Sequence, residues 1–196
     1  MTPKAAATPH PQKGLRTFKL AQEGSELCKM CHTVKADQQY MHGPAAVGDC
    51  TACHTPHASD NKALLVKKGN DLCFTCHGAI EDETKKKVVH DALQEGCTSC
   101  HNPHGSSFKK LLSAEGDTLC YQCHSKIGER IEKSKSVHAP VKSGKACASC
   151  HTPHASDGEK LLPKSEKDLC LDCHKNILKK NQNVLHGPIT QGKCTP

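Results

Sequence analysis

Apolar residues along this 196-residue chain occur in runs of no more than four, and prolines and glycines punctuate the polar stretches between them. Three leucine pairs recur in the same context: Leu64-Leu65, Leu111-Leu112 and Leu161-Leu162. Single leucines at 72, 119 and 169 each precede a cysteine. Asp71, Asp117 and Asp168 stand just before those leucines and predict helix caps there. Segments 80–89, 127–137 and 177–185 are polar with spaced apolar positions, a pattern that predicts short helices with one narrow apolar face. No stretch alternates for long enough to predict a sheet. The predicted fold is mainly irregular, with short α-helices and little or no β-sheet.

Composition deepens the problem of what such a chain folds around. Hydrophobic residues make up 35%, aromatic residues 3%, and tryptophan is absent, a balance typical of chains that bury no core.

The cysteines resolve it. Cys28, Cys31 and His32 form a CxxCH motif, and six more follow: Cys50, Cys53 and His54; Cys73, Cys76 and His77; Cys97, Cys100 and His101; Cys120, Cys123 and His124; Cys147, Cys150 and His151; Cys170, Cys173 and His174. CxxCH is the attachment signal for c-type haem, in which two thiols add across the porphyrin vinyl groups and the adjacent histidine takes the iron from one face. A zinc scaffold gives no reason for a histidine after every second cysteine, and a disulfide framework needs no histidines. Seven motifs predict seven covalently attached haem c groups, and these replace the missing core. If each hides on the order of 200 to 400 Å² of apolar surface, burial stabilises the fold by roughly 5 to 10 kcal/mol per haem.

Fifteen histidines are present, so eight remain for the opposite faces of the irons: His10, His42, His57, His90, His104, His138, His154 and His186. A complete repeat holds two motifs and two such histidines, the stoichiometry of bis-histidine ligation. Methionine is the other common axial ligand, but Met1 is terminal, Met30 lies inside a CxxC and Met41 occurs in one repeat alone. A histidine three residues after a proximal one, with a stiffening proline between them, cannot reach the far face of the same porphyrin. His57, His104 and His154 therefore serve other haems. One pairing gives His42, His90 and His138 the motif that follows each, and gives His10, His57, His104 and His154 the second motif of their own repeat, leaving His186 spare. A second turns His42, His90, His138 and His186 back to the preceding motif. Sequence leaves both open.

The formal charge of +7 suggests an anionic partner. A ferric bis-histidine haem with two ionised propionates carries about −1, so the cofactors offset that excess and nucleic acid is not an expected partner. Covalent attachment implies a secreted precursor, although the first residues lack the apolar centre of a secretion signal. Nothing in the chain is apolar enough to span a membrane.

Motif starts at Cys50, Cys97, Cys147 and Cys194 show a repeat of 47 to 50 residues. The two motifs of a repeat lie 23 residues apart, whereas gaps between repeats are 22, 24 and 27. The expected division is 1–33 with one haem, di-haem repeats at 34–80, 81–129 and 130–180, and a truncated repeat at 181–196. Thr8-Pro9-His10 matches Thr55-Pro56-His57, and Cys194 matches the first cysteine of a further motif. A piece of a longer cytochrome is therefore expected.

Cys50-Thr-Ala-Cys53-His54-Thr-Pro-His57, followed by Leu72-Cys73-Phe-Thr-Cys76-His77, resembles the doubled-CxxCH multihaem cytochromes c. Among these the chain is similar to the periplasmic decahaem subunits of porin-cytochrome conduits, although it has seven motifs instead of ten; soluble shuttles and filament-forming cytochromes remain alternatives. The resemblance implies electron transfer in extracellular or anaerobic respiration and a periplasmic or extracellular location. It also implies redox protein donors and acceptors, among them an outer-membrane porin and an extracellular cytochrome. The competing reading is a multihaem reductase of a small nitrogen or sulfur oxyanion. That chemistry needs an open iron position, and matched ligand supply argues for a conductor rather than an enzyme.

Overall fold

The computed structural model describes residues 20–32, 38–142, 145–178 and 184–195. Its unit of construction is a single tight turn repeated at every motif. In each, the histidine N–H donates to the carbonyl of the first cysteine, at 2.9 Å for His32, His124 and His174 and 3.0 Å for His54, His77, His101 and His151. One helical turn of this kind brings residues four apart onto one side. The leading thiol and the imidazole thus project together.

Helices are short: α1 Ser25–Lys29, α2 Gly43–Ala46, α3 Asn70–Phe74, α4 Gly78–Glu83, α5 Gly116–Tyr121, α6 Ser125–Lys133, α7 Glu166–Cys173 and α8 Gly187–Thr190. The second motif of each repeat starts inside α3, α5 or α7, whereas the first motif begins in a 3-10 turn, as at Cys50–Ala52 and Cys97–Ser99. Strands are two residues long: β1 Tyr40–Met41, β2 Val88–Val89, β3 Gly105–Ser106 and β4 Ala155–Ser156. β1 pairs antiparallel with β3, in register Met41 to Gly105, and β2 with β4, in register Val89 to Ala155. Each ladder joins one repeat to the next.

Three details differ from the sequence expectations. Asp71, Asp117 and Asp168 lie inside the first turns of α3, α5 and α7, where a carboxylate favours the helix dipole, while the caps themselves are Gly69, Glu115 and Ser165. Ser165 Oγ accepts from the Asp168 N–H at 3.1 Å and donates to Oδ2 of the same residue at 2.6 Å, so aspartate and cap work as a pair. The helices expected at 80–89 and 127–137 start at Gly78 and Ser125, directly after the motif histidine, and end at Glu83 and Lys133. Val88–Val89 then forms strand, because its backbone is claimed by the next repeat. Residues 177 and 178 form a bend, and most of the third expected helix lies outside the described residues.

Side chains build almost no core of their own. Among the described residues only Gly105, Ser106, Ala146, Ala155 and Ser156 are buried. Ser106 and Ser156 send their hydroxyls to the carbonyls of Leu112 and Leu162, and the equivalent Ser59 reaches Leu65 O at 2.6 Å. These bonds fold the loop with the leucine pair back onto the first motif.

Candidate haem centres

The returning loop orients the first histidine of each repeat. His54 Nδ1–H donates to Ala63 O, His101 to Lys110 O and His151 to Lys160 O, each at 2.8 Å and each across nine residues. With Nδ1 carrying the proton, Nε2 presents a lone pair, the tautomer needed to ligate a metal. The three accepting residues have φ of 56°, 59° and 55°, and the leucine after each is also left-handed, at 54°, 58° and 60°. Non-glycine residues in that region cost about 1 to 2 kcal/mol each. The strain recurs at the same place in three repeats, where it turns a carbonyl toward an imidazole.

The ladders position the loop and Pro-His histidines in pairs. The N–H of His42 donates to His104 O at 3.1 Å, and that of His90 to His154 O at 2.9 Å, extending each ladder by one residue. His42 Nδ1–H further donates to Pro103 O at 2.8 Å and His90 Nδ1–H to Pro153 O at 3.0 Å. Two histidines side by side on one ladder face two different motifs of one repeat.

Five pairs of imidazoles result. His42 faces His77 with ring centres 5.9 Å apart, His54 faces His104 at 6.0 Å, His90 faces His124 at 6.1 Å, His101 faces His154 at 6.2 Å, and His138 faces His174 at 5.8 Å. Two metal–nitrogen bonds of about 2 Å in line, with roughly 1 Å from each nitrogen to its ring centre, give about 6 Å. The ring pairs therefore fit the two axial positions of one haem iron. Burial, followed by the neighbouring His54 and His42 rings, lowers the His104 pKa and favours the neutral, ligating form.

This pairing corrects both arrangements drawn from the sequence. His42, His90 and His138 face the second motif of their own repeat rather than the first or the preceding one. His104 and His154 face the first motif of the repeat before them. The physical reason is the ladder: its backbone bonds commit a loop histidine to the Pro-His segment of the next repeat, so no repeat is self-contained. Among the described residues, His32, His57, His151 and His186 face no other imidazole, and His10 lies outside them.

The cysteines show how the motifs follow one another. The Cys28 thiol lies next to that of Cys50, Cys73 next to Cys97, Cys120 next to Cys147 and Cys170 next to Cys194, each pair spanning the junction of one repeat with the next. Burial first, and then the adjacent thiol, push Cys73 and Cys120 up to about 11. Cys53 is raised by burial and by Cys73 and Cys76 of its own repeat. Asn70 ties one such junction, donating to Leu93 O and accepting from the Cys97 N–H, both at 2.9 Å. Glu166 Oε1 accepts from the Cys194 N–H at 2.9 Å, so Cys194 is held much as Cys97 is.

All fifteen cysteines are unpaired, and no cluster of three or more His, Cys, Asp or Glu residues suited to a metal occurs among the described residues. Sequence reasoning missed the left-handed residues and the ladders. Nine residues separate motif histidine and accepting carbonyl in all three repeats, a regularity that was available as a signal for the former; two-residue strands leave none.

No curated protein matches the chain. The family described as doubled CXXCH motif matches it three times, at residues 42–82, 90–129 and 138–179, more than half of its length. Those boundaries start at His42, His90 and His138, so each matched segment holds a loop histidine and the two motifs after it. With thiols for covalent attachment and imidazoles at axial spacing, the chain belongs to the doubled CXXCH family and is a multihaem c-type cytochrome carrying covalently bound haem c.

Proposed function

We propose that this cytochrome is an electron conductor holding seven haems in sequence order. The observation that carries the reading is the set of five imidazole pairs at axial separation, joined end to end by thiol contacts between consecutive repeats. Haem supplies the redox couple. The chain supplies spacing, order and ligands: a histidine on each face leaves an iron little to rearrange on changing oxidation state, which suits conduction over substrate binding. The ladders fix successive sites relative to each other through backbone bonds, so their separation does not depend on side-chain mobility.

Electrons enter and leave through redox protein partners outside the cytoplasm, and the resemblance to conduit subunits favours a porin-bound or extracellular acceptor in anaerobic respiration. We take its role to be non-enzymatic, a reading supported by the imidazoles available on both faces of five irons.

Intact mass of the holoprotein, combined with a reductive titration followed at the haem absorbance bands, tests this. Seven haems are expected, at least five of them low-spin, with potentials below those of His/Met cytochromes and electron exchange with a second multihaem cytochrome. A mass corresponding to fewer haems, or a catalytic current with nitrite in place of simple electron exchange, would overturn it.

A further inference from the structure

The five imidazole pairs are not equivalent. Four have ring planes within 16° to 20° of each other, whereas His101 and His154 are inclined by 40°. The same pair has a different hydrogen-bond partner. His42 and His90 donate from Nδ1 to proline carbonyls, but His154 Nδ1 lies 3.3 Å from Oε2 of Glu83. Glu83 closes α4, and its side chain and that of His154 retain only 25% and 26% of their exposure. Lys86 approaches the other carboxylate oxygen at 3.7 Å, which holds the carboxylate in place. The residue seven positions before the loop histidine is Glu83 here, but Lys35 before His42, Ile131 before His138 and Lys179 before His186. The carboxylate is thus a property of one repeat.

We propose that Glu83 is a positioning residue that sets the ring orientation and the reduction potential of the haem attached at Cys97 and Cys100, by accepting the Nδ1–H of His154. The proposal rests on the haem-binding reading above. A carboxylate is a stronger acceptor than a carbonyl and draws the proton of the imidazole toward itself, which raises the electron density at Nε2. A more electron-rich ligand stabilises the ferric state, so this haem is held at a lower potential than the haem at His54, whose distal ligand His104 occupies the equivalent place. The same bond swings the His154 ring away from the plane of His101, and the angle between axial imidazoles governs the anisotropy of a low-spin ferric signal. A low-potential site in the middle of the row would make electrons pass over a step rather than along a level path.

The test uses the seven-haem holoprotein with Glu83→Gln and Glu83→Ala, read by electron paramagnetic resonance and by a redox titration that resolves individual haems through their NMR methyl shifts. Gln keeps an acceptor and removes the charge: one haem is expected to rise in potential while its distinct resonance signal persists. Ala removes both, so the potential rises and that signal joins the near-parallel set. The assignment to the haem at His101 comes from the contacts of its methyl groups. If neither variant moves that haem, or if all haems move together, the proposal fails while the haem-binding reading stands. Absence of bis-histidine low-spin signals from the unaltered protein would instead overturn that reading and the proposal with it.

Discussion

Lys110 shows how much a single exposed residue decides here. Its carbonyl receives the His101 Nδ1–H at 2.8 Å, and it does so from a left-handed backbone at φ 59° with Leu111 at 58° behind it. Glycine reaches this region without the Cβ penalty, whereas a β-branched residue there is more strained than lysine. Lys110→Gly is therefore expected to leave the unfolding midpoint unchanged or raised, and Lys110→Val to lie about 1 to 2 kcal/mol below the glycine variant. Thermal unfolding of the holoprotein measures the difference, and equal midpoints would show that the loop carries no strain. Leu111-Leu112 was legible in the sequence as a recurring apolar pair. Its backbone conformation was not, because nothing in lysine or leucine favours positive φ.

At the scale of elements, β1 with β3 and β2 with β4 act as clamps that each deliver two histidines. Met41 lies opposite Gly105 and Val89 opposite Ala155, a larger residue facing a smaller one in both. A Cβ at Gly105 would sit 2.8 Å from Met41 Sδ, which can swing aside, and 3.1 Å from Tyr40 O, so the approach suits a small residue, as Ala155 is in the other ladder. Gly105→Val is expected to open the ladder and perturb the haems at His54 and His77 together. His104→Ala should leave the haem at His54 alone without its second ligand, and His42→Ala that at His77. Paramagnetic NMR of each variant identifies the high-spin haem. Its appearance at His124 in the His104 variant would restore the pairing within a repeat that the sequence suggested. The ladders escaped the sequence analysis because two-residue strands carry no period, and their partners lie more than sixty residues away.

Across the whole molecule, the polypeptide lacks the buried apolar surface that holds ordinary domains of this size together. Ala155 and Ala146 are its only buried hydrophobic residues among those described, while Val47, Val184 and Ile177 are exposed. Surface ion pairs such as Lys85 with Asp82 and Lys133 with Glu129 are screened by water and do not replace a core. The chain produced without haem attachment is therefore expected to unfold without a cooperative transition, whereas the holoprotein melts cooperatively. Calorimetry of the two forms checks this, and a sharp transition in the haem-free chain would mean that the ladders and turns suffice. Neighbouring thiols bring the last motif of one repeat beside the first motif of the next, a junction that the fixed 23-residue spacing alone did not reveal.

By itself the sequence determined the chemistry: seven CxxCH motifs each set two thiols and an imidazole on one helical turn, an arrangement that needs no distant part of the chain. It also determined the repeat and the scarcity of strand, since both follow from local pattern and composition. Which imidazole faces which motif histidine was decided only by tertiary structure. That choice depends on two-residue ladders between repeats, where the N–H of His42 finds His104 O and the N–H of His90 finds His154 O. Counting ligands fixes their number, but a histidine's partner is set by where the chain returns, and that return is made through backbone bonds blind to side-chain identity.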